Sequence, residues 1–316
     1  MRSPTTAFAL LKDFHLFPFY FKPSTTQFLL TRSVIVVLLS WSCKVTKGNS
    51  LSLSAVEEKM TTIPIKEENG SVRQIQLRLC VPTESKRFRV VILNHGSPPK
   101  ASDRPLVSGF RCDSESAKWF LDRGFLVVSP IRRGYGASGG EWAEGYGSCN
   151  DSADFYQAGL ETAKDIAASV DFVASLQEAM PDHMVVVGQS AGGWGTIAYN
   201  SLNHPRVSAL INMAGGRGGH FEGKPNQNCK PDLLIKTVGQ YVTHASTPML
   251  WIYTENDSFF APAISQSFYK SFLAGGGIAE FILSPSFGTD GHKLFTSDGG
   301  SAIWGPIFEK YLGQGN

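Results

Sequence analysis

The sequence lacks the spacings of cysteine and histidine that mark a zinc site. None of its 5 cysteines stands in a paired zinc-binding pattern, and its 7 histidines include no ligand pair at helical or loop spacing. It also lacks internal repeats, coiled-coil heptads and long low-complexity tracts. We therefore expect a metal-free mechanism that needs no cofactor, in a globular domain.

Charge of either sign is scarce, at 18% of the residues. Residues 1–50 contain six basic residues and one acidic residue, which leaves residues 51–316 with 23 basic and 26 acidic residues, a net charge near −3. Binding to nucleic acid needs a basic footprint, so nucleic acid is excluded as a partner. No pattern predicts an oligomeric state.

No stable membrane span is expected in the mature chain. The apolar run at 34–42 follows Arg32 and is too short to anchor across about 30 Å of hydrocarbon, but it is typical of a signal peptide. Small residues at 48 and 50 allow cleavage before Leu51. We predict that residues 1–50 are a targeting segment, with a true start later than Met1, and that the mature protein is secreted or periplasmic. Two interpretations are weaker: that the apolar run is a buried strand, or that Cys43 carries a lipid.

The four cysteines after this segment favour an oxidising compartment, because their number is even. Three pairings are possible among Cys80, Cys112, Cys149 and Cys229. We predict a bond between Cys112 and Cys149, because each lies in a loop that flanks the same predicted strand.

The pentapeptide Gly188-Gln189-Ser190-Ala191-Gly192 follows a strand-like run and opens a helix-like run. Such a strand-to-helix turn exposes a serine hydroxyl at the positive end of a helix dipole, and small neighbours let the two arms pass. This context predicts that Ser190 is a catalytic nucleophile. The alternative is an ordinary glycine-rich turn.

A serine nucleophile needs a histidine base and a carboxylate to orient it. His292 lies in a glycine-rich loop after the predicted strand 279–283, where a base reaches the turn. For the acid we predict Asp257, just past the strand 248–253, because the following residues turn the chain back. Glu255 is the alternative acid, and Asp290 is more typical of a residue that shapes the loop.

The oxyanion formed during acyl transfer needs two N–H donors. Ala191 supplies one. The loop after the strand 89–94 supplies the other, and because Pro98 and Pro99 have no N–H, the donor is Gly96 or Ser97, of which we favour Ser97. His95 is expected to brace the loop.

Alternating strand and helix signals predict an α/β fold with a mostly parallel central sheet and helices on both faces, formed by a single domain over residues 51–316. Strands are predicted at 89–94, 125–129, 183–187, 248–253 and 279–283, and helices near 114–122, 152–176, 194–203, 263–274 and 301–311. An insert at about 215–247, between the sixth and seventh strands, suits a small lid or an ordinary crossover helix.

These motifs resemble the α/β-hydrolase superfamily, and within it the dienelactone hydrolase and prolyl-oligopeptidase-like branch. The resemblance covers most of the chain from about residue 70 and includes Arg133-Gly134-Tyr135-Gly136-Ala137-Ser138, which is similar to the Arg-Gly-x-Gly-x-Ser loop of these hydrolases. Ile131 stands where that loop often has aspartate, and Ser190 stands where dienelactone hydrolases have cysteine. The resemblance implies the fold and acyl-transfer chemistry, but not the dienelactone substrate.

We predict first that the protein is a secreted serine hydrolase. It would cleave carboxylic esters, with a small-molecule or peptide ester as substrate, through Ser190, His292 and Asp257. A serine peptidase or amidase is the first alternative, although the chain has no room for the propeller of many such peptidases. A non-catalytic binding protein with the hydrolase fold is the second. We predict that Trp194, Phe259 and Phe260 bind substrate.

Overall fold

A computed structural model describes residues 55–313 except 68, 85 and 86. The chain divides into two units, Met1–Ser50 and Leu51–Asn316, and every described residue belongs to the second. The predicted targeting segment and its cleavage site lie outside the described residues. In the part that the structure describes, no helix is long and apolar enough to cross a membrane.

The fold is built on one eight-stranded sheet. Its strands are β1 (Val56–Lys66), β2 (Val72–Pro82), β3 (Arg89–Asn94), β4 (Phe125–Ile131), β5 (Met184–Gln189), β6 (Val207–Met213), β7 (Met249–Thr254) and β8 (Ala279–Ser284). Their order in the sheet is β1-β2-β4-β3-β5-β6-β7-β8. The six strands β3 to β8 are parallel to one another, while β2 pairs antiparallel with both β1 and β4. The predicted mostly parallel α/β fold is confirmed.

Helices cover both faces of the sheet. They are α1 (Glu115–Leu121), α2 (Phe155–Ala174), α3 (Ala191–Asn200), α4 (Pro231–Gln240), α5 (Pro262–Ala274) and α6 (Ser301–Gly313). Successive side chains of a strand point to opposite faces, so Val90 and Ile92 pack in the core under α2 to α5, while Val91 and Leu93 pack under α1 and α6. Burial on both faces explains the continuous apolar runs in the sequence.

The disulfides differ from the predicted pairing, and the bond between Cys112 and Cys149 was wrong. The structure joins Cys80 to Cys112 and Cys149 to Cys229, each with a Cα separation of 5.6 Å. Cys80 lies on β2, an antiparallel strand that the sequence pattern did not reveal. The loop before α1 runs beside this strand, because Arg78 of β2 donates a hydrogen bond of 2.6 Å to the carbonyl of Ser108.

The topology brings the predicted site residues to one edge of the sheet. The carboxyl ends of parallel strands lie at the same edge, and Ser97, Ser190 and Asp257 follow β3, β5 and β7, while His292 follows β8. Between β6 and β7, α4 packs against α5 and buries Leu234 in the core.

Candidate active site

Ser190 occupies a strained turn between β5 and α3. Its backbone has φ 54° and ψ −118°, a conformation that residues other than glycine rarely adopt. A Cβ at Gly188 would lie 2.1 Å from the carbonyl oxygen of Gly192, and a Cβ at Gly192 would lie 2.4 Å from that of Asn94. The turn can therefore hold Ser190 at the N-terminus of α3 only because both neighbours are glycines.

The imidazole of His292 lies against the carboxylate of Asp257. The Nδ1 atom of His292 is 3.1 Å from each carboxylate oxygen, and both residues are buried. An ionised carboxylate only accepts hydrogen bonds, so Nδ1 donates and Nε2 is the nitrogen left to accept a proton. This is the tautomer that a general base requires.

Backbone groups fix the position of the Asp257 carboxylate. Its Oδ1 atom accepts hydrogen bonds from the N–H groups of Phe259 and Phe260, at 2.8 and 2.9 Å. Glu255, the alternative acid in the sequence, is exposed, and its carboxylate accepts a hydrogen bond from Ser286 at 3.5 Å. The structure thus brings Asp257 to His292 and leaves Glu255 at the surface.

The loop that carries His292 is tied to the elements on either side. Asp290 accepts hydrogen bonds from the N–H of His292, at 3.1 Å, and from the hydroxyl of Ser258, at 2.7 Å. Gln189, which precedes Ser190, donates from Nε2 to the carbonyl of His292 at 3.2 Å. Asp290 therefore shapes the loop backbone, while Asp257 faces the ring.

Phe259 is stacked between two imidazole rings. Its ring centroid lies 4.2 Å from that of His292 and 3.6 Å from that of His220, which comes from the segment after β6. His220 Nε2 is 2.8 Å from the hydroxyl of Ser258, and this hydroxyl also binds Asp290. The stack thus links the loops that carry Asp257 and His292 to the segment after β6.

The loop after β3 approaches Ser190 closely. A Cβ at Gly96 would lie 3.0 Å from the Cβ of Ser190 and 2.5 Å from Oε1 of Gln189. Ser97 and Ala191 line the same pocket as Ser190. The N–H of Ala191 is the first of α3 and has no acceptor within the helix. Both predicted oxyanion donors thus border the pocket that contains Ser190.

His95 braces this loop in its neutral form. Its Nδ1 lies 2.7 Å from the Gly96 carbonyl, and its Nε2 accepts the N–H of Arg132 at 3.3 Å. Burial and the neighbouring Arg132 lower the pKa of His95 to about 3. The ring therefore carries no charge at neutral pH.

A pocket of about 150 Å³ opens at Ser190. The residues that line it come from the loops after β3, β4, β5, β6 and β7: Ser97, Pro98, Pro99, Arg104, Trp142, Tyr146, Ser190, Ala191, Gly216, Arg217, Gly218, Gly219, Phe259 and Phe260. Trp194 is fully buried in the core, where its Nε1 donates to the Phe155 carbonyl at 3.1 Å. We therefore do not retain Trp194 as a substrate-binding residue. Within the described residues, no group of three His, Cys, Asp or Glu side chains could hold a metal ion.

A buried group of ionised side chains adjoins the pocket. Glu144 forms ion pairs with Arg132 and with Arg217, the latter at 2.6 Å, and all three side chains are at most 3% exposed. Burial opposes ionisation of Glu144, but the two guanidinium charges outweigh it and hold its pKa below the usual range. Tyr135 donates to Glu144 at 3.0 Å and accepts a hydrogen bond from Trp142 Nε1 at 2.8 Å.

The loop after β4 is anchored from α2. Arg133 forms an ion pair of 2.6 Å with Asp165, which is buried in α2. The carboxylate that pairs with Arg133 thus comes from α2, while Ile131, which stands where similar loops often have aspartate, is buried. Gly134 has a φ of 78°, and a Cβ there would lie 2.4 Å from the Cα of Trp142.

Sequence reasoning missed Arg104 and Arg217 as residues of this region. Arg217 stands inside a glycine-rich run, Gly215–Gly219, that marked the start of an insert but carried no catalytic motif. Arg104 lies in a short 3₁₀ helix, Ala101–Leu106, whose sequence has no distinctive pattern. Only the spatial arrangement of the loops brings the two arginines to one pocket.

Solved structures with the same fold include esterases and peptidases. A protein from Klebsiella pneumoniae described as a dienelactone hydrolase is 13% identical, with a TM-score of 0.52, and the alignment covers 82% of this chain and 99% of that one. An esterase from Pyrococcus furiosus is 15% identical (TM-score 0.52; coverage 83% and 92%). A protein from Bacteroides ovatus described as a dipeptidyl aminopeptidase IV is 18% identical (TM-score 0.57; coverage 82%), but this chain spans only 36% of its length.

No curated protein matches the sequence. A model of the X-Pro dipeptidyl-peptidase (S15) family matches residues 35–222, which include Ser97 and Ser190 but end before Asp257 and His292. This match extends over more than half of the chain, and the solved structures share its fold. The protein therefore belongs to the X-Pro dipeptidyl-peptidase (S15) family and is a serine hydrolase of the α/β-hydrolase fold.

Proposed function

We propose that this protein hydrolyses carboxylic esters, with Ser190 as nucleophile, His292 as general base and Asp257 as the acid that orients it. The observation that carries the proposal is the buried contact between His292 Nδ1 and both oxygens of Asp257, in a loop bonded to the residue before Ser190. The strained backbone of Ser190 is a second support, since such strain concentrates at functional sites.

The reaction follows from these positions. Ser190 Oγ attacks the ester carbonyl carbon while His292 Nε2 takes its proton, and the N–H groups of Ala191 and Ser97 bind the resulting oxyanion. As the carbon–oxygen bond to the alcohol breaks, His292 returns the proton to the leaving oxygen. Water then attacks the acyl-enzyme with His292 as base. The acid leaves, and Ser190 regains its proton.

Peptide bond hydrolysis is the second candidate, because the family model carries the name of a dipeptidyl-peptidase. An alkoxide leaves a tetrahedral intermediate more readily than an amine does, so a triad able to cleave an amide also cleaves the matching ester. Ester hydrolysis is therefore the activity that the triad supports most directly.

The test compares Ser190→Ala with the control variant Ser267→Ala. The hydroxyl of Ser267 lies on α5 and donates to the carbonyl of Ala263. A panel of acyl and aryl esters is assayed beside dipeptide amides, including X-Pro amides. We expect Ser190→Ala to lose on the order of a million-fold in turnover and to resist labelling by a fluorophosphonate. Ser267→Ala should do neither.

Three results would contradict the proposal. More than a few per cent of activity in folded Ser190→Ala would remove Ser190 as nucleophile. A wild-type protein that neither cleaves any ester nor takes the label would favour a binding function. Faster cleavage of amides than of matched esters would favour the peptidase.

We further propose that the protein is exported and loses residues 1–50. The two disulfides support this, because such bonds persist in extracellular and periplasmic compartments and are rare in the cytosol.

A further inference from the structure

The pocket at Ser190 contains charge of one sign. Its charged lining residues are Arg104 and Arg217, and the described residues that line it include no aspartate or glutamate. A substrate that carries an ammonium group would therefore meet two guanidinium groups and no carboxylate. A substrate that carries an anion would meet two cationic donors.

Arg217 is held rigidly beside the pocket. Its side chain is 3% exposed and donates hydrogen bonds to Glu144 Oε2, at 2.6 Å, and to the Thr162 hydroxyl, at 2.9 Å. Glu144 also pairs with Arg132, so Arg217 shares its carboxylate partner with a second guanidinium group. The Nε–H of Arg217 is buried and has no acceptor among the described residues.

Arg104 carries the second charge and lies on an aromatic platform. Its guanidinium carbon is 3.3 Å from the ring centroid of Trp142, a ring held in turn by the hydroxyl of Tyr135. Among the described residues Arg104 forms no ion pair, and its Nε–H is buried without an acceptor. Arg104 and Arg217 thus line one pocket whose described lining residues supply no carboxylate, so a carboxylate partner at this place would have to come with the ligand.

We propose that the pocket binds a carboxylate of the substrate through Arg104 and Arg217, so that the preferred esters carry a free carboxylate close to the scissile bond. Guanidinium groups match carboxylates in geometry and charge. A cavity of about 150 Å³ accepts a group about the size of benzene. The chain between the ester and the carboxylate of the substrate is therefore a few carbon atoms long, as in a monoester of a short dicarboxylic acid. The inference rests on the proposed function, in that Ser190 is taken as the nucleophile.

The test uses esters of equal chain length and different charge. On the acyl side, monoethyl succinate, ethyl butyrate and ethyl 3-aminopropanoate place a carboxylate, a methyl and an ammonium group at the same position. On the alcohol side, the butyrate ester of 3-hydroxypropanoate is compared with propyl butyrate. Hydrolysis is followed by pH-stat titration with the full chain.

We expect the carboxylate to raise kcat/KM on the order of ten- to a hundred-fold over the methyl group on one of the two sides, and the ammonium to lower it. The side that shows the preference identifies which product carries the carboxylate. In Arg104→Gln this ratio should fall towards one, and Arg104→Lys should restore part of it. Arg111→Gln is the matched control, because Arg111 is exposed, lies outside the pocket and pairs with Asp113.

Failure of this inference can be told from failure of the proposed function. Ester hydrolysis that depends on Ser190 but shows equal rates for the carboxylate and methyl esters on both sides would overturn the carboxylate site alone. Faster hydrolysis of the ammonium ester, or an equal loss of preference in Arg104→Gln and Arg111→Gln, would overturn it as well. Ester hydrolysis that persists in Ser190→Ala would instead overturn the proposed function.

Discussion

Replacing Asp257 by asparagine tests the acid of the proposed triad with little change in shape. The amide oxygen of asparagine can still accept the N–H groups of Phe259 and Phe260, which bind Oδ1 at 2.8 and 2.9 Å. The amide nitrogen then faces His292 Nδ1, where the second carboxylate oxygen lay at 3.1 Å. Since an amide nitrogen only donates, it favours the tautomer in which Nδ1 accepts, in competition with Oδ1, which stays 3.1 Å from Nδ1.

The magnitude follows from this change of tautomer. With Nδ1 as acceptor, the imidazole proton moves to Nε2, which can no longer take a proton from Ser190. Loss of the correct tautomer and of the charge that stabilises the imidazolium costs about three to four orders of magnitude in turnover, or about 4 to 5.5 kcal/mol in the transition state. Because the two backbone hydrogen bonds are retained, the melting temperature should change little.

The assay is kcat/KM for a neutral ester, measured for Asp257→Asn and for Glu255→Gln, with thermal unfolding of both. Glu255 is the matched control, because it lies two residues away and is exposed. We expect Glu255→Gln to keep nearly all activity. A larger loss in Glu255→Gln than in Asp257→Asn would refute the assignment of the acid, and so would more than about a tenth of the activity in folded Asp257→Asn.

Three further predictions concern stability and processing. Peptide mapping of the oxidised protein should recover the two disulfides described above. In the loop-entropy treatment, they contribute about 3.7 and 4.5 kcal/mol for closures of 32 and 80 residues, so mutants that lack either bond should unfold at lower urea concentration. Glu144→Gln should lower the free energy of unfolding at pH 7 by about 3 to 5 kcal/mol. Because the folded pKa of Glu144 lies below the unfolded value of about 4.3, its contribution is present above that pH and lost as the pH falls, so the variant should show a shallower loss of stability from pH 5 to 3. N-terminal sequencing of exported protein should find a start between residues 43 and 55, and an intact Met1 in a soluble cytoplasmic fraction would contradict export.

Five of the six parallel strands could be predicted from the sequence to within two residues, while no range was predicted for β6. β3 begins at the predicted position, Arg89, because a strand buried on both faces appears as a short apolar run between helices. β8 also begins at the predicted position, Ala279, although it is an edge strand and mostly half-buried. The hairpin of β1 and β2 was not predicted. β1 lies at the edge of the sheet and is mostly exposed, so charged and apolar residues mix along it and leave no clear run.

The residues at strand ends could be predicted for a different reason. Ser190, Asp257 and His292 follow directly from strands whose ends share one edge, so local sequence and chain order are enough to place them near one another. Arg104 and Arg217 lie in irregular loops, and their meeting depends on how distant segments pack. The disulfide pairing failed likewise, since each bond joins segments that are distant in the sequence, with separations of 32 and 80 residues.

The bond between Cys149 and Cys229 has a consequence for redesign of the enzyme. It joins the loop after β4, which contributes Tyr146 to the pocket, to the segment after β6, which contributes Arg217. The two loops therefore form one exchangeable unit although 80 residues separate the cysteines. A chimera that took only one of the two loops from a relative would lose this disulfide and the link between two sides of the pocket. Transfer of both loops together would keep the link and would move their substrate-binding residues onto an unchanged sheet.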